Sequence, residues 1–204
     1  MTAAYYACSI FHYGYSVPVQ ARRKDQVLDA AVEVLGTDGI RRLTYQAVDR
    51  RAGVPWGTTS NYFRSRDALL DGIVDHIEAL DRAELGHLAL AADGLDGVAR
   101  TLAGFVHHAL GPGRPRIVAR YALFLETLTR PELRDSLTRG REALVVRGGD
   151  WLRGIGSAEP AAHSRIVLDF LDGVILHQIA MPMPDFDPLP GITAVLRGLG
   201  LGSV

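Results

Sequence analysis

The 204-residue chain has little of what defines several large protein classes. Its single cysteine, Cys8, excludes an internal disulfide framework and suits a reducing, cytoplasmic setting. No apolar run approaches the roughly 18–20 residues needed to span a bilayer, so no membrane partner is expected. Charge of one sign is lacking too. The formal balance is −1 at pH 7, and the chain as a whole does not read as a nucleic-acid binder. Lysine is nearly missing, with Lys24 the only one, and arginine carries the other basic positions. Beside the many glycines and alanines this looks like codon bias, so arginine content alone argues little. Paired carboxylates at a useful spacing, a glycine-rich phosphate loop and a nucleophile motif are all absent. No enzyme and no cofactor are therefore expected. Alternation with period two is almost absent, which removes the sheet classes.

What remains is helical. Hydrophobic residues make up 48% and charged residues 22%, enough apolar material for a packed core and too much for disorder. Residues 1–20 stand apart, rich in aromatics and free of charged side chains. They read as a flexible arm or as a start assigned too early. From Gln20 to Arg66 nine basic side chains face five acidic ones, a local excess of four on an otherwise acidic chain. A basic head on an acidic body suits a protein whose head meets phosphates.

Apolar stripes at about 100° per residue give an all-α fold of about nine helices. Val27, Ala30, Ala31, Val34 and Leu35 predict a first helix over 21–37, stopped by Asp38-Gly39. Thr44 is a suitable N-cap for a short helix to Arg51, with Ala47, Val48 and Ala52 inward. Gly53 makes a turn, Val54 is a buried anchor, and Pro55 suits the start of a short helix ending near Tyr62-Phe63. Ser65 can cap a longer helix carrying Leu69, Leu70, Ile73, Val74, Ile77 and Leu80. Further stripes follow: Leu95 to Ala109, then Ile117, Tyr121, Phe124, Leu125 and Leu128. Next come Leu133, Leu137, Gly140, Leu144, Gly148, Trp151 and Ile155, and then Ile166 to Ile175. A Pro-rich loop, Met181 to Pro190, precedes a last short helix.

The segment 55–63, Pro-Trp-Gly-Thr-Thr-Ser-Asn-Tyr-Phe, is a poor helix by propensity. It makes sense as the second helix of a helix-turn-helix, presenting an amide, hydroxyls and rings to the major groove. Asn61 could bridge an adenine edge, and the threonine methyls could meet thymine methyls. Gly57 would let backbones approach closely, and Thr44 at a helix N-terminus could hold a phosphate. Trp56 could lie in the groove or cap the small core. Tyr62 and Phe63 cannot share a helix face, so Phe63 is expected inside and Tyr62 toward DNA.

These residues carry a resemblance. Leu43-Thr44, Ala47-Val48, Ala52-Gly53-Val54-Pro55, Gly57-Thr58, Tyr62-Phe63-Arg64-Ser65-Arg66 and Leu69-Leu70 resemble the signature of TetR/AcrR-family transcriptional regulators, over roughly residues 22–77. The resemblance implies a three-helix helix-turn-helix DNA-binding head over 21–66 and a helical effector-binding and dimerisation body over 67–204. It implies DNA contacts at Thr44, Tyr45, Gln46, Pro55, Trp56, Gly57, Thr58, Ser60, Asn61 and Tyr62, with Arg66 where the family has a basic residue on phosphate. Thr59 and Ser60 depart from the family's usual aliphatic residue and tyrosine. The function implied is a ligand-responsive regulator, in most cases a repressor. It would bind a near-palindromic double-stranded operator as a homodimer and be released by a small-molecule effector.

In the body, Phe105, Tyr121, Phe124 and Trp151 are candidate effector contacts, although most such aromatics are simply core. His177 falls on the apolar side of its helix with Phe170 and Val174. It could belong to a dimer interface with Phe170, Gly173 and Val174, to the effector pocket, or to the core. His107-His108 lacks the i, i+4 spacing of two helix-borne metal ligands, so no metal site is expected. Two other readings stay open: a helical metal protein using His107, His108 or His177, and a regulator whose body senses a partner protein.

Overall fold

The helical stripes close into nine α-helices among the residues that this computed structural model describes, 19–88 and 94–202. They are α1 (Val19–Asp38), α2 (Tyr45–Ala52), α3 (Thr58–Tyr62), α4 (Arg66–Leu88), α5 (Gly94–Leu110), α6 (Arg114–Glu126), α7 (Leu133–Gly154), α8 (Pro160–Ala180) and α9 (Leu189–Gly198). A 3-10 turn, Ile40–Arg42, joins α1 to α2, and no strand occurs among the described residues. Of the N-terminal segment set apart by composition, residues 1–18 lie outside the described residues, and 19–20 open α1.

Two apolar cores form. The first gathers the α1 stripe of Val27, Ala30, Ala31, Val34 and Leu35 with Leu43, Val48, Phe63 and the α4 stripe from Leu69 to Ile77. The second joins α5, α8 and α9 through residues such as Val98, Val106, Leu171, Ile175, Ile192 and Leu196. Each helix buries a stripe against a neighbour, which is what makes these helices stable at their lengths.

Helix α6 departs from the single stripe that the sequence predicts. Ala119 and Leu123 enter the first core, whereas Ile117 and Tyr121 pack on the second. Leu125 and Leu128 are not inward: they are 68% and 78% exposed. The helix ends at Glu126, so Leu128 leaves the helical register, and Leu125 projects away from both cores. Ile166 of α8 is likewise 48% exposed, and the buried stripe of that helix runs through Ser164, Val167, Leu171 and Ile175.

Helix α6 is thus wedged between the two cores, and its main partner is α1. The approach is close at Gly36, where a Cβ would stand 1.9 Å from the Pro115 carbonyl oxygen. Helix α7 lies along α8, with Gly148 so close that a Cβ would come within 2.5 Å of Ser164 Oγ.

Candidate functional site

The N-terminal helices build a short brace, a turn and a second short helix. Thr44 Oγ1 accepts from the Ala47 N–H at 3.1 Å and caps α2. Gly53 closes that helix in the left-handed region. Helix α3 starts three residues later than the sequence predicts. Pro55, Trp56 and Gly57 form the turn, because Gly57 adopts φ 88°, a conformation that favours glycine. Within the chain itself little crowds this glycine, since the nearest atom to a Cβ there would be Ser60 Oγ at 3.9 Å.

The orientation of α3 rests on a residue that sequence reasoning missed. Asp49, 2% exposed, accepts from three donors. Gly57 N–H reaches Oδ2 at 2.8 Å, and Thr59 N–H and hydroxyl reach Oδ1 at 2.8 and 2.5 Å. The carboxylate on α2 thereby satisfies the open amides at the N-terminus of α3 and ties the two helices together. Thr59 is fully buried, which explains a threonine where the family favours an aliphatic side chain. A buried hydroxyl needs a partner, and that need was the available signal for Asp49.

The outward residues of this unit are Thr44, Gln46, Pro55, Trp56 and Asn61, with Trp56 69% exposed. Tyr45 and Tyr62 are half-buried against the first core, and Phe63 lies inside it. The Thr58 and Ser60 hydroxyls donate to the Pro55 and Gly57 carbonyls at 2.6 and 2.9 Å. Their protons are spent within the turn, leaving a methyl and lone pairs to face outward. The Arg66 guanidinium donates to the Leu43 and Ile40 carbonyls at 2.7 and 2.6 Å and so holds the 3-10 turn against α4. Arg41, Arg42 and Arg64 are exposed nearby, whereas Arg51 is engaged by Glu33 at 3.0 Å and Asp38 at 3.5 Å.

In the body, α4, α5, α6, α7 and α8 line a partly open cavity of about 150 Å³. Phe105, Phe124 and Trp151 line it. Tyr121 does not: it stands behind the wall, its hydroxyl 3.3 Å from Asp172 Oδ1 and its ring tilted against Phe124. Burial, and then the Asp172 charge, push the Tyr121 phenol well above its ordinary pKa, so it stays a donor. His177 is neither pocket nor core. It is exposed on α8, its Nδ1 2.8 Å from the Gly173 carbonyl. Phe170 and Val174 are half-buried on the second core, and Gly173 faces open space. His107 and His108 are exposed, and no group of three potential ligands gathers among the described residues. No described helix is long and apolar enough to cross a membrane.

A helix-turn-helix head on an all-helical body defines a DNA-binding regulator class. Two family models match: bacterial regulatory proteins of the tetR family over residues 27–73, and the tetracyclin repressor-like C-terminal domain over residues 93–201. The chain belongs to the TetR family of transcriptional regulators. It is 36% identical over 59 residues to the HTH-type transcriptional regulator BetI of Escherichia coli, which covers 29% of this chain and 30% of BetI. The chain thus matches under a third of that curated relative's length. Among solved structures, a TetR-family regulator from Rhodococcus sp. superposes with TM-score 0.73 at 21% identity, covering 88% of this chain and 98% of that one. The multidrug binding protein EbrR, complexed with proflavin, superposes with TM-score 0.57 at 28% identity, covering 87% and 99%.

Proposed function

We propose that this regulator binds a near-palindromic operator as a homodimer, represses from it, and leaves it when a small molecule fills the body cavity. The observation that carries the reading is the Asp49-fixed α3, with Asn61 exposed on it and Trp56 exposed in the turn before it, half-buried Thr58 and Ser60 between them, and Thr44, Tyr45, Gln46 and Tyr62 beside it. A helix so placed fits the major groove, and exposed Arg41, Arg42 and Arg64 supply phosphate contacts. The head is residues 21–66, and the remainder is the sensing and pairing body.

The cavity favours a small-molecule signal over a protein partner, and the relative EbrR is described as a multidrug binding protein. Helices α4 and α6 line the cavity and also enter the head's core, Leu123 of α6 doing both. The Arg120–Asp81 ion pair links these helices in the cavity wall. A ligand that prefers one spacing of α4 and α6 would move the heads away from the operator spacing. Only that difference in affinity can drive release.

Pairing is assigned to α8. Gly173 and His177 open outward beside Leu176, which is 49% exposed, and Phe170 and Val174 support them from the second core. Such an apolar face with a glycine permits close helix approach across a two-fold axis. Sedimentation equilibrium tests this. The native chain is expected to be a dimer and Gly173→Arg a folded monomer that protects no two-half-site operator. A monomeric native chain, or a variant that still dimerises, would overturn the assignment.

A further inference from the structure

The cavity wall carries an imbalance that the fold leaves unresolved. Trp151 Nε1–H is buried and meets no acceptor. A buried donor without a partner is rare and marks a place where something else supplies the acceptor. One helical turn earlier on α7, Arg147 lines the same cavity, half-buried, with no carboxylate partner among the described residues. The other charges of the wall cancel. Glu78 is matched by Arg82 at 2.7 Å, Asp81 by Arg120, and Asp172 by Arg141 at 2.5 Å. What remains is one uncompensated guanidinium and one unsatisfied indole N–H, at i and i+4 on one helix face.

Apart from Thr101 and Ser136, the rest of the wall is apolar and aromatic, with Phe105, Phe124, Leu144 and Leu171 around the space. Its volume of about 150 Å³ matches a cavity that holds a single benzene-sized ring.

We propose that the effector is a small organic anion, a single-ring or short-chain carboxylate. Its carboxylate accepts from Arg147 and from Trp151 Nε1, and its apolar part fills the aromatic end. Guanidinium and carboxylate are matched in geometry, and an indole N–H adds a neutral donor. This rests on the reading of the cavity as the sensor site and adds the charge and size of what it takes.

Isothermal titration of the full chain with four probes tests it: benzoate, benzamide, benzylamine and proflavin. Benzoate is expected to bind about tenfold more tightly than benzylamine, which has the same ring and the opposite charge. Arg147→Met should weaken benzoate about tenfold and leave benzamide unchanged. Trp151→Phe should weaken both. The same probes are then added to the protein–DNA complex. Tighter binding of benzylamine or proflavin, no benzoate binding, or Arg147→Met binding benzoate as well as the native chain would overturn the anion assignment. Release of DNA by proflavin with benzoate inert would do so while leaving the sensor reading intact. DNA that no bound probe releases would sink the sensor reading and the effector assignment with it.

Discussion

Asp49→Ala is expected to destabilise the protein by about 3 kcal/mol or more and to remove specific DNA binding. Three donors converge on this carboxylate, and two of them belong to the fully buried Thr59. Each donor stranded without a partner costs about 1–3 kcal/mol, and alanine offers none an acceptor. The free energy is lost where α3 meets α2, so the groove-facing side chains lose their fixed direction. Thr59→Val removes one donor while its N–H keeps Asp49 Oδ1, so a milder loss of about 1 kcal/mol is expected. Urea denaturation and DNA titration of the two variants measure both effects. Native stability and affinity in Asp49→Ala would show that the carboxylate does not position α3.

Gly36→Ala is expected to lower the melting temperature by several degrees and to disturb communication between cavity and head. The added methyl would stand 1.9 Å from the Pro115 oxygen, 2.5 Å from its carbonyl carbon and 2.7 Å from its Cα. All three are backbone atoms and cannot rotate away, so α1 and α6 must separate. Overpacking of this kind costs about 1–3 kcal/mol, or about 2–4 °C per kcal/mol for a chain of this size. Gly104→Ala is the control. A Cβ there meets nothing within 4 Å, and alanine is the better helix former. If Gly36→Ala melted with the native chain and released DNA at the same ligand concentration, α1 and α6 would not be the coupling contact.

The first helix and the capping of α2 by Thr44 were legible because a periodic stripe and a cap are local features. Phe63 inside followed from helix geometry in the same way, whereas Trp56, open between groove and core in the sequence, is exposed because it sits in the turn before α3. The start of α3 was misjudged by three residues, since proline tolerates a helix start but the φ of Gly57 decides where the turn ends. The faces of α6 were misread because a helix wedged between two cores has no single stripe. The hold of Arg66 on two carbonyls 23 and 26 residues away was not legible, because it depends on where the 3-10 turn packs against α4. Asp49 counted only as an acid within the basic head, although the buried Thr59 demanded a partner. The Arg147 and Trp151 pair was hidden for a different reason. It is defined by partners that are missing across a helix interface, which no local pattern encodes.

In the proposed regulator, α3 of a paired chain reads duplex DNA. Selection of bound sequences from random duplex DNA, at two salt concentrations, tests it most directly. The expected result is enrichment of a two-fold symmetric motif with half-sites about one helical turn apart or a multiple of it, bound less tightly at higher salt and lost in Asn61→Ala. Failure to enrich any sequence, or binding that falls with salt but is indifferent to sequence and to Asn61, would contradict it.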